Sequence, residues 1–186
     1  YNLPQKKILE HGYARLDSII KHKQPSKVEN KTKHALFAPS WGINAVIELG
    51  LGGQVVEKLL SLGYKVTLRP HPETLKSSSK IVNKIVRMHS KNNKFIYEEG
   101  VSTLDSFYKS DFMISDWSGA ALEYSLGLKK PVIFLDLPKK VNNPMYTEIN
   151  ITPLEVLVRE EIGVIVSIDQ ITVSLINSLP YGQINP

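Results

Sequence analysis

Short apolar segments alternate with longer amphipathic segments along most of the chain, from about residue 35 to residue 179. The apolar segments are continuous runs, which is typical of strands that helices cover on both faces of a parallel sheet. Six strands are predicted, at residues 35–39, 64–70, 95–97, 112–115, 132–135 and 164–166. The pattern therefore predicts an α/β fold: a Rossmann-like, doubly wound parallel sheet of about six strands.

The amphipathic segments between these strands predict the helices. Residues 43–62 have clear helical spacing only in their second half, because three glycines fall between residues 50 and 53, and Gly63 is expected to end this helix. Ser102 is expected to cap a short helix, and Gly127 to help end another. The remaining helices are predicted at residues 75–89, 102–110, 120–128, 154–161 and 168–179, with a loop at 137–152.

Length and composition narrow the class of protein. The chain has 186 residues, a net charge of +5 and no cysteine, so a disulfide scaffold, a thiolate metal site and a cysteine nucleophile are excluded. It contains neither an apolar run long enough to span a bilayer nor a visible signal peptide. The absence of cysteine fits a cytoplasmic protein. We expect a basic leader with a short helix at residues 1–34, one domain at 35–180, and a tail at 181–186. The start at Tyr1 leads us to expect a fragment of a longer protein.

The positive charge is concentrated in two groups. The first lies in the leader, which we interpret as an exposed linker, and the second recurs every three or four residues, on one face of a predicted helix. That face is either simply solvated or directed at something acidic, such as a membrane, a polyanionic polymer or a phosphate-rich ligand. Nucleic acid is not an expected partner, because aromatic residues are not interleaved and no nucleic-acid motif is present. The two groups are Lys21, Lys23, Lys27, Lys31 and Lys33, and Lys76, Lys80, Lys84, Arg87 and Lys91.

Ligands of doubly wound sheets bind beyond the carboxyl ends of the strands, so the candidate site residues follow each predicted strand. Ser40 and Gly42 follow the first strand, in a turn whose backbone N–H groups suit a phosphate. Arg69 and His71 follow the second strand, and a proline on each side of His71 restricts the backbone there. His71 and Arg69 are therefore candidates for binding a phosphate, although Arg69 could instead point into a structural ion pair.

The fourth strand is followed by the richest group of candidates. Ser118 and Gly119 lie at the start of a predicted helix, where unpaired N–H groups favour an anion. Ser115 and Asp116 precede this turn, and we interpret Asp116 as an acceptor for backbone N–H groups. Glu123 lies one turn into the helix, where it either contacts ribose hydroxyls or is an ordinary surface glutamate.

Several common signatures are missing from the sequence. It contains no G-x-G-x-x-G after the first strand, no P-loop and no G-x-S-x-G, which disfavours a nicotinamide-binding domain, a P-loop NTPase and an α/β hydrolase. No metal-ligand spacing is present, so neither a cofactor nor a metal site is predicted. A divalent cation that bridges phosphates would need few protein ligands, so the binding of such an ion is compatible with this sequence.

Five motifs occur in order along the chain, at residues 12–17, 38–41, 69–72, 115–118 and 130–134. Their sequences are Gly-Tyr-Ala-Arg-Leu-Asp, Ala-Pro-Ser-Trp, Arg-Pro-His-Pro, Ser-Asp-Trp-Ser and Lys-Pro-Val-Ile-Phe. Together they resemble the carboxyl-terminal half of the CDP-glycerol glycerophosphotransferase family, the teichoic-acid and capsule polymerases of bacteria.

The resemblance implies one half of a GT-B enzyme, in which the carboxyl-terminal Rossmann-like domain binds the nucleotide donor. His71 falls on the family's cleft histidine and is the candidate catalytic residue. Ser118 and Gly119 fall on the turn that holds the donor phosphates, and Glu123 falls on an acidic position. Gly42 and Gly119 stand where the family usually has a basic residue and a second serine, which leaves the identity of the donor open.

The family reaction moves glycerol phosphate or a related polyol phosphate from a CDP-linked donor to an anionic polymer and releases CMP. The resemblance also implies an upstream Rossmann-like domain of the same protein that completes the cleft. We accordingly expect this chain to bind nucleotide without turnover, and to work in the cytoplasm, with peripheral contact at the inner face of the cell membrane.

Two other functions remain open from the sequence. A UDP-sugar glycosyltransferase or epimerase of GT-B fold would share the sheet and the phosphate turn, but would prefer a UDP-sugar. A non-catalytic module that docks on an anionic membrane or polymer would depend on Lys80, Lys84 and Arg87 rather than on His71.

Overall fold

A computed structural model of the chain describes residues 7, 9, 11–21, 32–100, 103–141, 143–148 and 151–181. Its centre is a six-stranded sheet in which every pairing is parallel, with the strand order β3-β2-β1-β4-β5-β6. This confirms the predicted doubly wound sheet. The strands are β1 His34–Phe37, β2 Lys65–Leu68, β3 Phe95–Tyr97, β4 Phe112–Ser115, β5 Val132–Leu135 and β6 Gly163–Val166.

The helices of the described residues cover both faces of this sheet. They are α1 Ala14–Lys21, α2 Gly52–Ser61, α3 Pro72–Ser77, α4 Ser79–His89, α5 Asp105–Lys109, α6 Gly119–Leu128, α7 Leu154–Leu157, α8 Arg159–Ile162 and α9 Val173–Ser178. Two short 3-10 helices occupy Pro144–Glu148 and Ile168–Gln170. None of these helices has the length and apolar composition needed to cross a membrane.

The central strands β1, β4 and β5 contribute side chains to two hydrophobic cores, one on each face of the sheet. Phe37 of β1 lies in the core formed with α2, α4 and α9, whereas its neighbour Leu36 lies in the core formed with α1, α5 and α6. Side chains alternate between the faces of a strand, so a strand buried on both faces must be apolar throughout. The burial explains why the strands appear in the sequence as continuous apolar runs.

The chain order of the strands reverses direction at β1, which has β2 on one side and β4 on the other. Phe37 pairs with Leu68 of β2 and with Ile114 of β4, so the carboxyl ends of these three strands are level. A reversal of this kind opens a crevice at the carboxyl edge of a sheet, which is where ligands of doubly wound folds bind. The fold therefore brings the predicted strand-end residues to one edge.

The glycines that were expected to shape the helix ends have different roles. Gly63 follows α2 with a φ of 88°, which confirms it as the left-handed residue that ends the helix. The prediction that Gly127 helps to end α6 is wrong, because Gly127 lies inside the helix and Lys129 takes the left-handed conformation, with a φ of 55°. A Cβ atom on Gly127 would lie 2.7 Å from Cγ2 of Ile19, so the glycine permits close packing of α1 on α6.

Other element boundaries differ from the predictions in detail. Residues 43–50 form turns rather than helix, and α2 begins at Gly52. The single helix predicted at 75–89 is two helices, α3 and α4, which separate at Ser78 and begin earlier, at Pro72. The predicted cap Ser102, the leader lysines Lys23, Lys27 and Lys31, and the tail residues 182–186 lie outside the described residues.

Candidate functional site

Asp116 anchors the loop after β1 to the end of β4. Its carboxylate is buried, with Oδ1 accepting a hydrogen bond from the backbone N–H of Ser40 at 2.6 Å and Oδ2 accepting one from the N–H of Val46 at 3.0 Å. This confirms the interpretation of Asp116 as an acceptor for backbone N–H groups. The adjacent Ser115 donates its hydroxyl proton to the carbonyl of Ala38 at 2.7 Å.

These contacts bear on three candidates for substrate binding. Ser40, Ser115 and Asp116 are at most 2% exposed, so the expectation that they bind the substrate is corrected. The backbone N–H of Ser40, which was expected to suit a phosphate, is bonded to Asp116 instead. Ser115 and Asp116 use their polar atoms to hold the loop after β1, and Ser40 is held by its backbone. We therefore assign them to positioning the site. Gly42 lies in the same loop with a φ of 115° and open space around the position of a Cβ atom.

The Ser118–Gly119 turn opens the N-terminus of α6 to solvent. Ser118 caps the helix by accepting a hydrogen bond from the N–H of Ala120 at 3.4 Å. Gly119 is exposed, and no atom lies within 4 Å of the position that a Cβ would occupy. The start of a helix carries partial positive charge from its macrodipole, so this turn can attract a phosphate.

His71 follows β2 and is the N-terminal cap residue of α3, and its ring is held by contacts on two sides. Nδ1 accepts a hydrogen bond from the backbone N–H of Glu73 at 3.1 Å, and the ring stacks on Trp41 with centroids 5.8 Å apart. Burial, followed by the charge of Lys140, lowers the pKa of His71, which favours a neutral ring. A neutral imidazole whose Nδ1 is an acceptor carries its proton on Nε2. His71 therefore offers a hydrogen-bond donor to a ligand, and not a free base.

Arg69 is directed away from the open edge. Its guanidinium is 4% exposed and donates to the hydroxyl of Ser106 at 3.1 Å and to the carbonyl of Thr103 at 2.9 Å. Its Nε lies 3.5 Å from a carboxylate oxygen of Glu98, and the group sits over the ring of Phe107. The prediction of a phosphate contact by Arg69 is corrected: the residue has the structural ion pair that was the alternative interpretation.

Glu123 of α6 bonds to residues of the first motif, at positions 12–17. It accepts hydrogen bonds from the hydroxyl of Tyr13 and from Nε of Arg15, each at 2.7 Å, and its side chain is 12% exposed. The structure thus places Glu123 in an ordered ion pair rather than on an ordinary solvated surface. A carboxylate has further acceptor sites, so a contact with ribose hydroxyls stays a prediction.

Two cationic side chains at this edge were not among the predicted site residues. Lys140, after β5, places Nζ 4.3 Å from the centre of the Trp41 ring, and Arg159 of α8 lies over the Trp117 ring at 3.8 Å. Both cations come from segments that carry no motif. No local pattern in the sequence could have placed them beside residues almost 100 and 42 positions away, respectively.

A cavity of about 480 Å³ lies beyond the ends of β4 and β5. Its wall includes Trp117, Gly119 and Lys140, so the exposed start of α6 and the loop after β5 face the same space. Within the ranges that the structure describes, no group of three or more His, Asp or Glu side chains could hold a metal ion. The arrangement can therefore bind an anionic ligand through N–H donors, a neutral histidine and an ammonium group.

Comparisons with known proteins identify the family and the fold. A family model described as CDP-Glycerol:Poly(glycerophosphate) glycerophosphotransferase matches residues 1–149, whereas no curated protein matches the chain. The chain is similar in fold to the UDP-GlcNAc 2-epimerase of Methanocaldococcus jannaschii, solved in complex with UDP-GlcNAc and UDP, with a TM-score of 0.52 and 17% identity. The similarity covers 84% of this chain and 43% of that chain.

Two further structures are similar at lower scores. Another structure of UDP-GlcNAc 2-epimerase from M. jannaschii has a TM-score of 0.48 and 14% identity, and covers 92% of this chain and 47% of that chain. A putative UDP-N-acetylglucosamine 2-epimerase from Listeria monocytogenes has a TM-score of 0.45 and 14% identity, and covers 69% of this chain and 31% of that chain. The chain spans less than half the length of these three structures.

Proposed function

The chain belongs to the CDP-glycerol:poly(glycerophosphate) glycerophosphotransferase family, and from that premise we propose that it is the donor-binding domain of a transferase. It binds a CDP-linked donor at the carboxyl edge of the sheet. The transferred group is glycerol phosphate or a related polyol phosphate, and the acceptor is an anionic polymer of the bacterial cell surface, a teichoic acid or a capsule.

The observation that carries this proposal is the placement of two anion-binding groups on either side of β1. His71 follows β2 and the Ser118–Gly119 turn follows β4, and the register makes the ends of these strands level. Two strand spacings separate them, about 10 Å across the sheet. That span suits a diphosphate whose one phosphate lies at the start of α6 while the other accepts a hydrogen bond from Nε2 of His71.

The chemistry requires little covalent help from the protein. The acceptor hydroxyl attacks the phosphorus that carries the polyol, the bond from this phosphorus to the bridging oxygen breaks, and CMP leaves with the bond's electrons. His71 and the start of α6 stabilise the charge that develops on the phosphate oxygens, and loss of one such donor typically lowers kcat by about 100- to 1,000-fold. The proton of the acceptor hydroxyl must go elsewhere, because Nδ1 of His71 is already an acceptor for Glu73. We propose that an upstream Rossmann-like domain supplies this base and the acceptor contacts, so that this chain alone binds the donor without turnover.

Calorimetry of the chain with CDP-glycerol, CDP and UDP-GlcNAc tests the proposal. We expect CDP-glycerol to bind best, and His71→Gln to weaken it about tenfold, which corresponds to about 1.4 kcal/mol. His89→Gln is the matched control, because His89 ends α4, before β3 begins and therefore away from the carboxyl edge. Failure of every nucleotide to bind at millimolar concentration would refute the donor-binding role, and a preference for UDP-GlcNAc would refute the CDP-linked donor.

A basic face on α4 supports a location at the inner surface of the membrane. Lys80, Lys84 and Arg87 are all exposed, next to an exposed Met88. A cluster of this kind is attracted to anionic lipid headgroups, by about 1 kcal/mol for each basic residue near the surface. Co-sedimentation with vesicles containing phosphatidylglycerol is expected to fall when the three residues are changed to Glu. Unchanged co-sedimentation would exclude this face, and loss of membrane binding with full donor affinity would separate docking from donor binding.

A further inference from the structure

Three side chains from three separate loops form a column at the carboxyl edge of the sheet. Trp41 follows β1, His71 follows β2, and Lys140 follows β5. The His71 and Trp41 rings stack at an interplanar angle of 29°, and Nζ of Lys140 lies 4.3 Å from the centre of the Trp41 ring. An ammonium group over an indole face is a favourable cation–π contact. The Trp41 ring thus lies in contact with both a neutral hydrogen-bond donor and a positive charge.

The loop that carries Lys140 is attached to both neighbouring strand-end turns. The indole N–H of Trp117 donates to the carbonyl of Leu137 at 3.0 Å. Asn44, in the turn before α2, donates to the carbonyl of Lys139 at 3.3 Å. These bonds hold the backbone in place at Leu137 and Lys139, shortly before Lys140. The position of the ammonium group is therefore set by the fold and not only by its own side-chain rotamer.

The charges around Lys140 leave its ammonium group able to take a ligand. Burial lowers the pKa of Lys140, and the nearby carboxylates of Asp116 and Glu48 oppose that shift. Asp116 already accepts two backbone N–H groups, and Glu48 accepts the hydroxyl proton of Thr74 at 2.8 Å. Among the described residues, no ion pair within 4.0 Å involves Lys140. A lysine ammonium has three donors, and a cation–π contact uses the charge without requiring all of them.

We infer that Lys140 binds a phosphate of the ligand held between His71 and the Ser118–Gly119 turn. The inference rests on the proposed function and adds a residue to it. Lys140 and Gly119 line the same cavity of about 480 Å³, so a phosphate at the start of α6 would share that cavity with Lys140. The rest of that cavity is large enough for the polyol attached to the phosphate. Gly42, beside Trp41, offers no side chain of its own to this edge.

Donor affinity measured at two salt concentrations tests the inference. The ligand is CDP-glycerol, and the proteins are the wild-type chain, Lys140→Ala, Lys140→Arg and, as the control, Lys80→Ala. Lys80 carries the same charge but lies exposed on α4, remote from the loop after β5. We expect Lys140→Ala to weaken binding at least tenfold at low salt and to reduce the salt dependence, because one phosphate contact is lost. Lys140→Arg retains most of the affinity, and Lys80→Ala leaves it within twofold.

The possible results separate the inference from the proposed function. If wild-type protein binds CDP-glycerol and Lys140→Ala binds as well as Lys80→Ala does, Lys140 is not a ligand residue, although the donor-binding function stands. If affinity falls but the salt dependence does not change, Lys140 acts by positioning Trp41, and the inference is overturned. If wild-type protein binds no cytidine nucleotide, both the proposed function and the inference fail. Circular dichroism of each variant shows whether a loss of binding reflects a loss of fold.

Discussion

Replacement of Asp116 by Asn tests whether one buried carboxylate holds the loop that shapes the site. The carboxylate is 1% exposed and accepts the N–H groups of Ser40 and Val46, at 2.6 and 3.0 Å. An amide of the same shape keeps one acceptor oxygen but turns an NH2 group toward the second N–H. One charge-assisted hydrogen bond therefore becomes neutral, and the other is replaced by two facing donors.

The expected loss of stability follows from these two changes. The first costs about 1 kcal/mol, since a hydrogen bond to a charged group contributes about 1.5–3 kcal/mol and a neutral one about 1 kcal/mol. The second leaves a buried donor without an acceptor, at about 1–3 kcal/mol. The sum is about 3 kcal/mol. For a chain of 186 residues, where each kcal/mol moves Tm by about 2–4 °C, this predicts a decrease of about 6–12 °C.

Thermal unfolding followed by circular dichroism measures this decrease. Asp136→Asn is the matched control, because Asp136 is exposed after β5 and its loss removes the same charge. That substitution is expected to change stability by less than about 0.5 kcal/mol. A Tm for Asp116→Asn within about 1 °C of the Tm for Asp136→Asn would refute the assignment of Asp116 as the anchor of the loop.

Three further predictions concern the fold and the site. Gly127→Ala should destabilise the chain by about 1–3 kcal/mol in urea unfolding, because the new Cβ meets Ile19 at 2.7 Å; a stability equal to wild type would contradict the close packing of α1 on α6. Burial lowers the pKa of His34 to about 4, so at pH 5 the unfolded chain binds this proton and the folded chain does not. The free energy of unfolding should therefore fall by about 2 kcal/mol between pH 6.5 and pH 5, and by less in His34→Gln; an equal dependence on pH in the two proteins would contradict this explanation. Glu123→Gln should change stability by at most about 1 kcal/mol, since its partners Tyr13 and Arg15 are largely exposed, but should lower CDP-glycerol affinity in calorimetry if Glu123 binds ribose; unchanged affinity would remove that contact.

The sheet was predictable because its central strands β1, β4 and β5 are buried on both faces. Burial on two sides strongly favours apolar residues, and a run such as Val132–Leu135 shows this without any knowledge of its partners. The placement of His71 and the Ser118–Gly119 turn at the same edge was predictable for a related reason, since the carboxyl ends of parallel strands lie at one edge of a sheet. Both results follow from the local pattern of the sequence together with general rules of connection.

The direction of a side chain was not predictable from the same pattern. Arg69 stands beside His71 in one tetrapeptide, yet its guanidinium turns to Thr103 and Ser106, in a segment more than 30 positions later. Gly127 is of a residue type that commonly ends helices, but its lack of a side chain is needed for packing against Ile19, over 100 positions away. Lys140 reaches the site from a loop without periodicity. In each case the decisive partner is distant in sequence, so no local rule could identify it.

A crystal structure of the chain with CDP-glycerol tests the claim that the donor diphosphate binds between His71 and the start of α6. We expect one phosphate to lie within hydrogen-bond distance of the N–H groups at the start of α6, and the other to accept a hydrogen bond from Nε2 of His71. The claim would be contradicted if the nucleotide bound elsewhere on the protein, or if it bound at this edge with its diphosphate turned away from both groups.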